Sequence, residues 1–122
     1  MNKILYGFLE TIASIADRAY QERVWVRGEG PECDDYTESI CHFFDDGDPV
    51  IANHRDYGIN DHQLRLLTKL RESVQYFNST IRFDLGPDFL NSSEWIRITL
   101  MARDVLRAFH YPLPDDVKDQ AK

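Results

Sequence analysis

The sequence predicts an all-α fold, a single-domain bundle of about four to six helices joined by short connections. Three observations carry this. Apolar residues recur at steps of three and four in several separate stretches. Asn, Asp and Ser stand where such stretches begin, and Gly and Pro where they end. At 122 residues and 43% hydrophobic, the chain suits one core, enough to bury about two-thirds of its unfolded surface. The alternative is an α+β fold in which Glu22 to Arg27 and Ile81 to Leu85 pair as a minor two-stranded sheet.

In chain order, Asn2 to Gln21 carries Ile4, Phe8, Ile12, Ile15 and Ala19 on one stripe. That predicts an amphipathic helix of about five turns with Asn2 as N-cap. Glu22 to Arg27 alternates polar and apolar residues and is expected as a last helical turn or an extended exit. Gly28-Glu29-Gly30-Pro31 breaks the chain. Asp34 or Asp35 then caps a helix through Tyr36, Ile40, Phe43 and Phe44, with Glu38 and Ser39 turned outward. Asp45-Asp46-Gly47-Asp48-Pro49 is expected to stop it, with Gly47 left-handed and Pro49 opening one or two further turns.

Asn60 and Gln63 form a capping box for a helix buried along Leu64, Leu67, Leu70, Val74 and Phe77, ending at Asn78-Ser79-Thr80. Ile81 to Leu90 is expected as a connector. Asn91 to Glu94 resembles a second box, ahead of Trp95, Ile98, Met101, Ala102, Val105, Leu106 and Phe109. Pro112 and Pro114 end that helix, and residues 112–122 are expected as a flexible tail.

Charge is distributed very unevenly. Between Gly28 and His54 stand Glu29, Glu32, Asp34, Asp35, Glu38, Asp45, Asp46 and Asp48, with no Lys or Arg, in a chain of net charge −7. Outside that segment 14 basic groups face 13 acidic ones. A pI near 4.9 argues against a nucleic-acid binder, which needs cationic surface. Met1 to Tyr20 lacks the form of a signal peptide, and no stretch has the roughly 18 apolar residues that span a bilayer. Cys33 and Cys41 are expected as reduced thiols, and the protein as cytoplasmic.

Catalytic and metal motifs fail on spacing. Twelve positions on from Asp45 lies Asp56, not Glu, and Pro49 interrupts the stretch, so it does not match a calcium loop. Cys33, Cys41, His42 and His54 lack the short Cys spacing of zinc sites, and Cys41 is expected as a small buried residue. His62 and His110 sit near helix ends, as partners for backbone groups. Gly28 and Gly30 lack the rest of a phosphate loop, and no hydrolase elbow or His-Glu-x-x-His pair occurs. No catalytic residue, metal ligand or cofactor is assigned.

A charge-rich stretch is ordinarily a solvated face, but one with both signs interspersed. Eight like charges held together repel one another, and a basic partner turns that repulsion into attraction. A nuclease cleft that grips RNA phosphates is such a partner. Opposite charge also accelerates encounter by factors of about ten to a thousand. Trp25 and Tyr36 are expected as the desolvated anchors that charge alone does not supply.

The run from Tyr20 to Ile51, with Tyr57-Gly58-Ile59, the helix from Gln63 to Phe77 and WIRITLMARDVLRAF at Trp95 to Phe109, resembles the CdiI immunity proteins of contact-dependent growth inhibition systems. The resemblance is to the group paired with ribonuclease toxins. Its most specific part is Val24 to Gly47. It implies a cytosolic, non-enzymatic, largely helical protein that binds the C-terminal ribonuclease toxin domain of its cognate CdiA effector. That complex would be 1:1 with a monomer, and the eight acidic positions would be the contacts. Two alternatives stand beside it. One is an acidic adaptor or nucleic-acid mimic regulating another cationic protein; the other is a metal-dependent hydrolase using Asp45, Asp46 and Asp48.

Overall fold

The structure is a computed structural model that describes residues 2–114. Helix α1 (Lys3–Ile15) is followed by α2 (Arg18–Tyr20), which winds on as a π-helical turn, Gln21–Val26. Then come α3 (Tyr36–Ala52) and α4 (Asp61–Tyr76), the latter continuing as a second π-helical turn, Phe77–Ile81. A short α5 (Arg82–Leu85) and a 3-10 segment, Gly86–Asn91, lead to α6 (Ser93–Ala108). Among the described residues there is no strand. The two stretches proposed to pair as a sheet are both helical, so the all-α prediction holds and the α+β alternative is corrected.

Helix α1 starts where expected. The Asn2 side chain accepts from the backbone N–H of Ile4 and Leu5 at 2.8 and 3.3 Å, and Leu5, Phe8, Leu9, Ile12 and Ile15 are buried. It ends earlier than the apolar stripe suggested. Asp17 is extended and its carboxylate accepts from Tyr20 N–H at 3.1 Å, so a new cap interrupts the helix after Ile15. The π turn that follows packs an extra residue into its loop and turns Gln21 fully inward. Its Nε2 donates to Ser14 O at 2.7 Å and Ile15 O at 2.8 Å, carbonyls at the end of α1. Its Oε1 accepts from Trp95 Nε1 at 3.0 Å. One amide thus closes α1 and ties it to α6.

The expected break in α3 does not occur. The helix is capped by Asp35, which accepts from Glu38 N–H at 2.8 Å, and it runs through Asp45 to Pro49 as far as Ala52. Gly47 is buried there because α1 crosses over it. A Cβ at that position would lie 2.7 Å from Phe8 Cε1. Pro49 lies inside the last turn of this helix, where its missing N–H removes the bond to the Asp45 carbonyl without ending the helix. Ser39, expected on the outside, is buried.

For α4 the predicted capping box forms, with Gln63 N–H donating to Asn60 Oδ1 at 2.8 Å and Asn60 N–H to Gln63 Oε1 at 2.9 Å. Gln63 Nε2 also donates to Ala108 O at 3.0 Å, pinning the end of α6. The second box is corrected: Ser92 caps α6, accepting from Trp95 N–H at 3.1 Å. Asn91 instead accepts from the Arg18 guanidinium. Of the expected tail, residues 115–122 lie outside the described residues, while Leu113 packs against the core.

The core draws on α1, α3, α4 and α6. Its centre is aromatic. Trp95, fully buried, packs against Trp25, Tyr36, Phe77 and Phe89 with ring centroids 5.2 to 6.0 Å apart. Each well-oriented pair contributes about 0.5–1.5 kcal/mol beyond its area. No helix of the described residues is long and apolar enough to cross a membrane.

Candidate interaction surface

Folding returns cations to an acidic segment that has none of its own. Arg23 grips Glu32 through both terminal nitrogens, at 2.9 and 2.8 Å. That guanidinium holds the Glu32 carboxyl at about 2. Arg27 reaches Glu29 at 2.7 Å. Arg71, from α4, pairs with Asp48 at 2.7 Å while its guanidinium lies 5.4 Å from the Phe44 ring centroid. All three pairs are substantially exposed, so solvent screening leaves each with little effect on stability. Their larger effect is to occupy three of the eight carboxylates.

Asp34 is occupied more fully. Its Oδ2 accepts from the Tyr20 hydroxyl at 2.8 Å, from Trp25 Nε1 at 3.0 Å and from the Ser39 hydroxyl at 2.8 Å. Burial first, and then this bond, push the Tyr20 phenol upward. A carboxylate with three donors on one oxygen fastens the Gly28–Asp35 loop to α2, the first π turn and α3. Asp35 is engaged too, as the α3 cap.

The two aromatic anchors expected from the sequence turn inward. Tyr36 is only 8% exposed; its ring meets Trp25, Phe77, Phe89 and Trp95, and its hydroxyl donates to Asn78 Oδ1 at 2.8 Å. Trp25 is half-buried against Tyr20, Tyr36 and Trp95. Their place at the start of α3 and in a π turn makes both part of the core cluster.

What remains is the outer stripe of α3. Glu38, Cys41, His42, Asp45 and Asp48 are exposed on it, at the three- and four-residue spacing of one helical face. Among the described residues Glu38, Asp45 and the half-buried Asp46 make no ion pair. Cys41, expected to be buried, is exposed, as is Cys33. Between this stripe and α1 runs a polar groove of about 300 Å³ lined by Glu10, Asp34, Glu38 and His42. Glu10 is the contributor the sequence reasoning missed. Its place off the apolar stripe of α1 marked it as exposed, but not that α1 packs alongside α3. Among the described residues no three His, Cys, Asp or Glu side chains converge to hold a metal ion.

Fold and surface together define a small helical bundle with one acidic helix face. In comparisons with protein-family models, curated proteins and solved structures, nothing matches this chain.

Proposed function

We propose that this is an immunity protein that binds the C-terminal ribonuclease domain of a cognate contact-dependent growth inhibition effector in the cytoplasm. It neutralises that domain by covering its basic RNA-binding or active-site cleft, without catalysing a reaction itself. The observation that carries the reading is the α3 face: Glu38 and Asp45 stand exposed and, among the described residues, without ion-pair partners, in a segment without Lys or Arg. The resemblance of Val24 to Gly47 to that immunity group supports the same partner. The hydrogen bonding of the acidic segment supports a smaller contact set. Asp34 and Asp35 hold the structure together, so Glu38 and Asp45, with Glu10 beside them, are the carboxylates available to a cationic cleft.

The test is titration of the C-terminal ribonuclease domain of a candidate cognate effector with wild-type protein and with the Glu38→Lys/Asp45→Lys variant. Binding that inhibits RNA cleavage at one-to-one stoichiometry is expected, with the variant weaker and its affinity less salt-dependent. Unchanged affinity and salt slope in the variant would remove the acidic face from the mechanism. Absence of binding by the wild type, with retention of some other cationic protein, would favour the adaptor reading instead.

A further inference from the structure

A second groove, between α4 and α6, is built on different principles from the acidic face. Its floor is Phe77, Ile98 and Met101, its volume is about 300 Å³, and it is mainly apolar. Tyr76 stands at its edge, 60% exposed. Glu72, Glu94 and Arg97 also line it, and among the described residues none of these three makes an ion pair.

We propose that this face docks against the same face of a second copy of the chain around a two-fold axis. In such a contact a patch meets itself, so it must carry both halves of every complementary pair. This patch does. It has a protruding aromatic side chain beside an apolar recess, and two carboxylates, one of them accepting from the Ser93 hydroxyl at 3.0 Å, beside a guanidinium, all outside any ion pair among the described residues. Tyr76 of one copy fills the recess of the other, and Arg97 meets Glu72 and Glu94 across the axis. A partner of one charge sign would select a rim of one sign, as on α3, whereas this rim carries both. Exposed Tyr flanked by Arg is also the composition that interface centres favour. No residue of α3 lines the groove, so each copy keeps its acidic face free, and the assembly replaces the monomer expected from the sequence with a dimer.

Sedimentation equilibrium of the full chain across a wide concentration range tests this. A mass rising to twice 14.3 kDa is expected. Tyr76→Ala weakens association by about tenfold or more, with helical content and melting temperature checked by circular dichroism, since Tyr76 is exposed. Arg97→Glu gives the single-chain mass, and Arg97→Glu/Glu72→Arg/Glu94→Arg, which exchanges the charges, restores the doubled mass. A single-chain mass for the wild type at every concentration overturns the proposal. So does a doubled mass that neither Tyr76→Ala nor Arg97→Glu reduces, because the copies would then meet through another surface.

Discussion

Gly47 of α3 lies directly beneath the ring of Phe8 on α1, so close that a Cβ would sit 2.7 Å from Cε1 and 2.8 Å from Cζ. In a helix interior glycine costs about 1 kcal/mol relative to alanine, and here that cost is offset by letting two helices approach. Gly47→Ala is therefore expected to destabilise by about 1–3 kcal/mol, since overpacking outweighs the propensity gain. Urea unfolding measures it. Combining Gly47→Ala with Phe8→Leu should recover part of the loss; a stabilised Gly47→Ala single variant would show that Phe8 moves aside freely.

Gln21 and Trp95 make a second test. Gln21→Leu leaves the buried Trp95 Nε1 without an acceptor and two α1 carbonyls without their side-chain donor, at a cost of about 1–3 kcal/mol. With Trp95→Phe already in place the same substitution should cost less, because one of the groups it orphans is gone. A double-mutant cycle that came out additive would dissociate the two side chains energetically.

Asp34 separates structure from binding. Asp34→Ala removes the acceptor shared by Tyr20, Trp25 and Ser39, and an expected loss of about 1–3 kcal/mol should appear in chemical denaturation. Glu38→Lys/Asp45→Lys, on exposed positions, is expected to change stability by no more than about 1 kcal/mol, chiefly by placing a cation in the first turn of α3, while altering partner affinity. Hydrogen exchange should show faster opening of the Gly28–Asp35 loop in the Asp34 variant alone.

The shifted groups set the pH response. Glu32 titrates at about 2 instead of its ordinary 4.5, so its pairing with Arg23 stabilises the fold above pH 4.5 and is lost as pH falls toward 2. Glu32→Gln should flatten the stability profile in that window. At the alkaline end, burial first and then its bond with Tyr6 push the Tyr111 phenol to about 12. Burial likewise raises Tyr36. A phenol held protonated by the fold stabilises it below the ordinary value of 10, and that contribution declines as pH rises from 10 through the shifted values. Phenolate absorbance should accordingly show tyrosines ionising late, together with unfolding.

The apolar periodicity located all four long helices, and the Asn60–Gln63 box marked the start of α4 to the residue, because those signals are local. The failures share a cause. Gly47 and Pro49 read as punctuation in the sequence, although one answers to a ring that lies 39 positions away and the other falls within the final turn. Asp17 lies within the stretch expected as one helix from Asn2 to Gln21, yet it caps the next helix. The acidic segment was legible as composition, yet its division into engaged and free carboxylates was not, since Arg23 and Arg71 reach it only through the packing of the π turn and α4. Tyr36 shows the same limit: an aromatic residue flanked by carboxylates looks external until the rings that cover it are in place.

The continuity of α3 has one more implication. Had the Asp45–Pro49 stretch been a loop, its charges would have sampled many arrangements, and a partner would have had to immobilise them at roughly 1–2 kcal/mol per backbone residue. On a continuous helix Glu38 and Asp45 are held about 10 Å apart along the axis before any encounter. The charged pattern is thus preorganised, and a bound partner meets a template of fixed spacing whose fit, more than the number of its charges, determines how long the complex lasts.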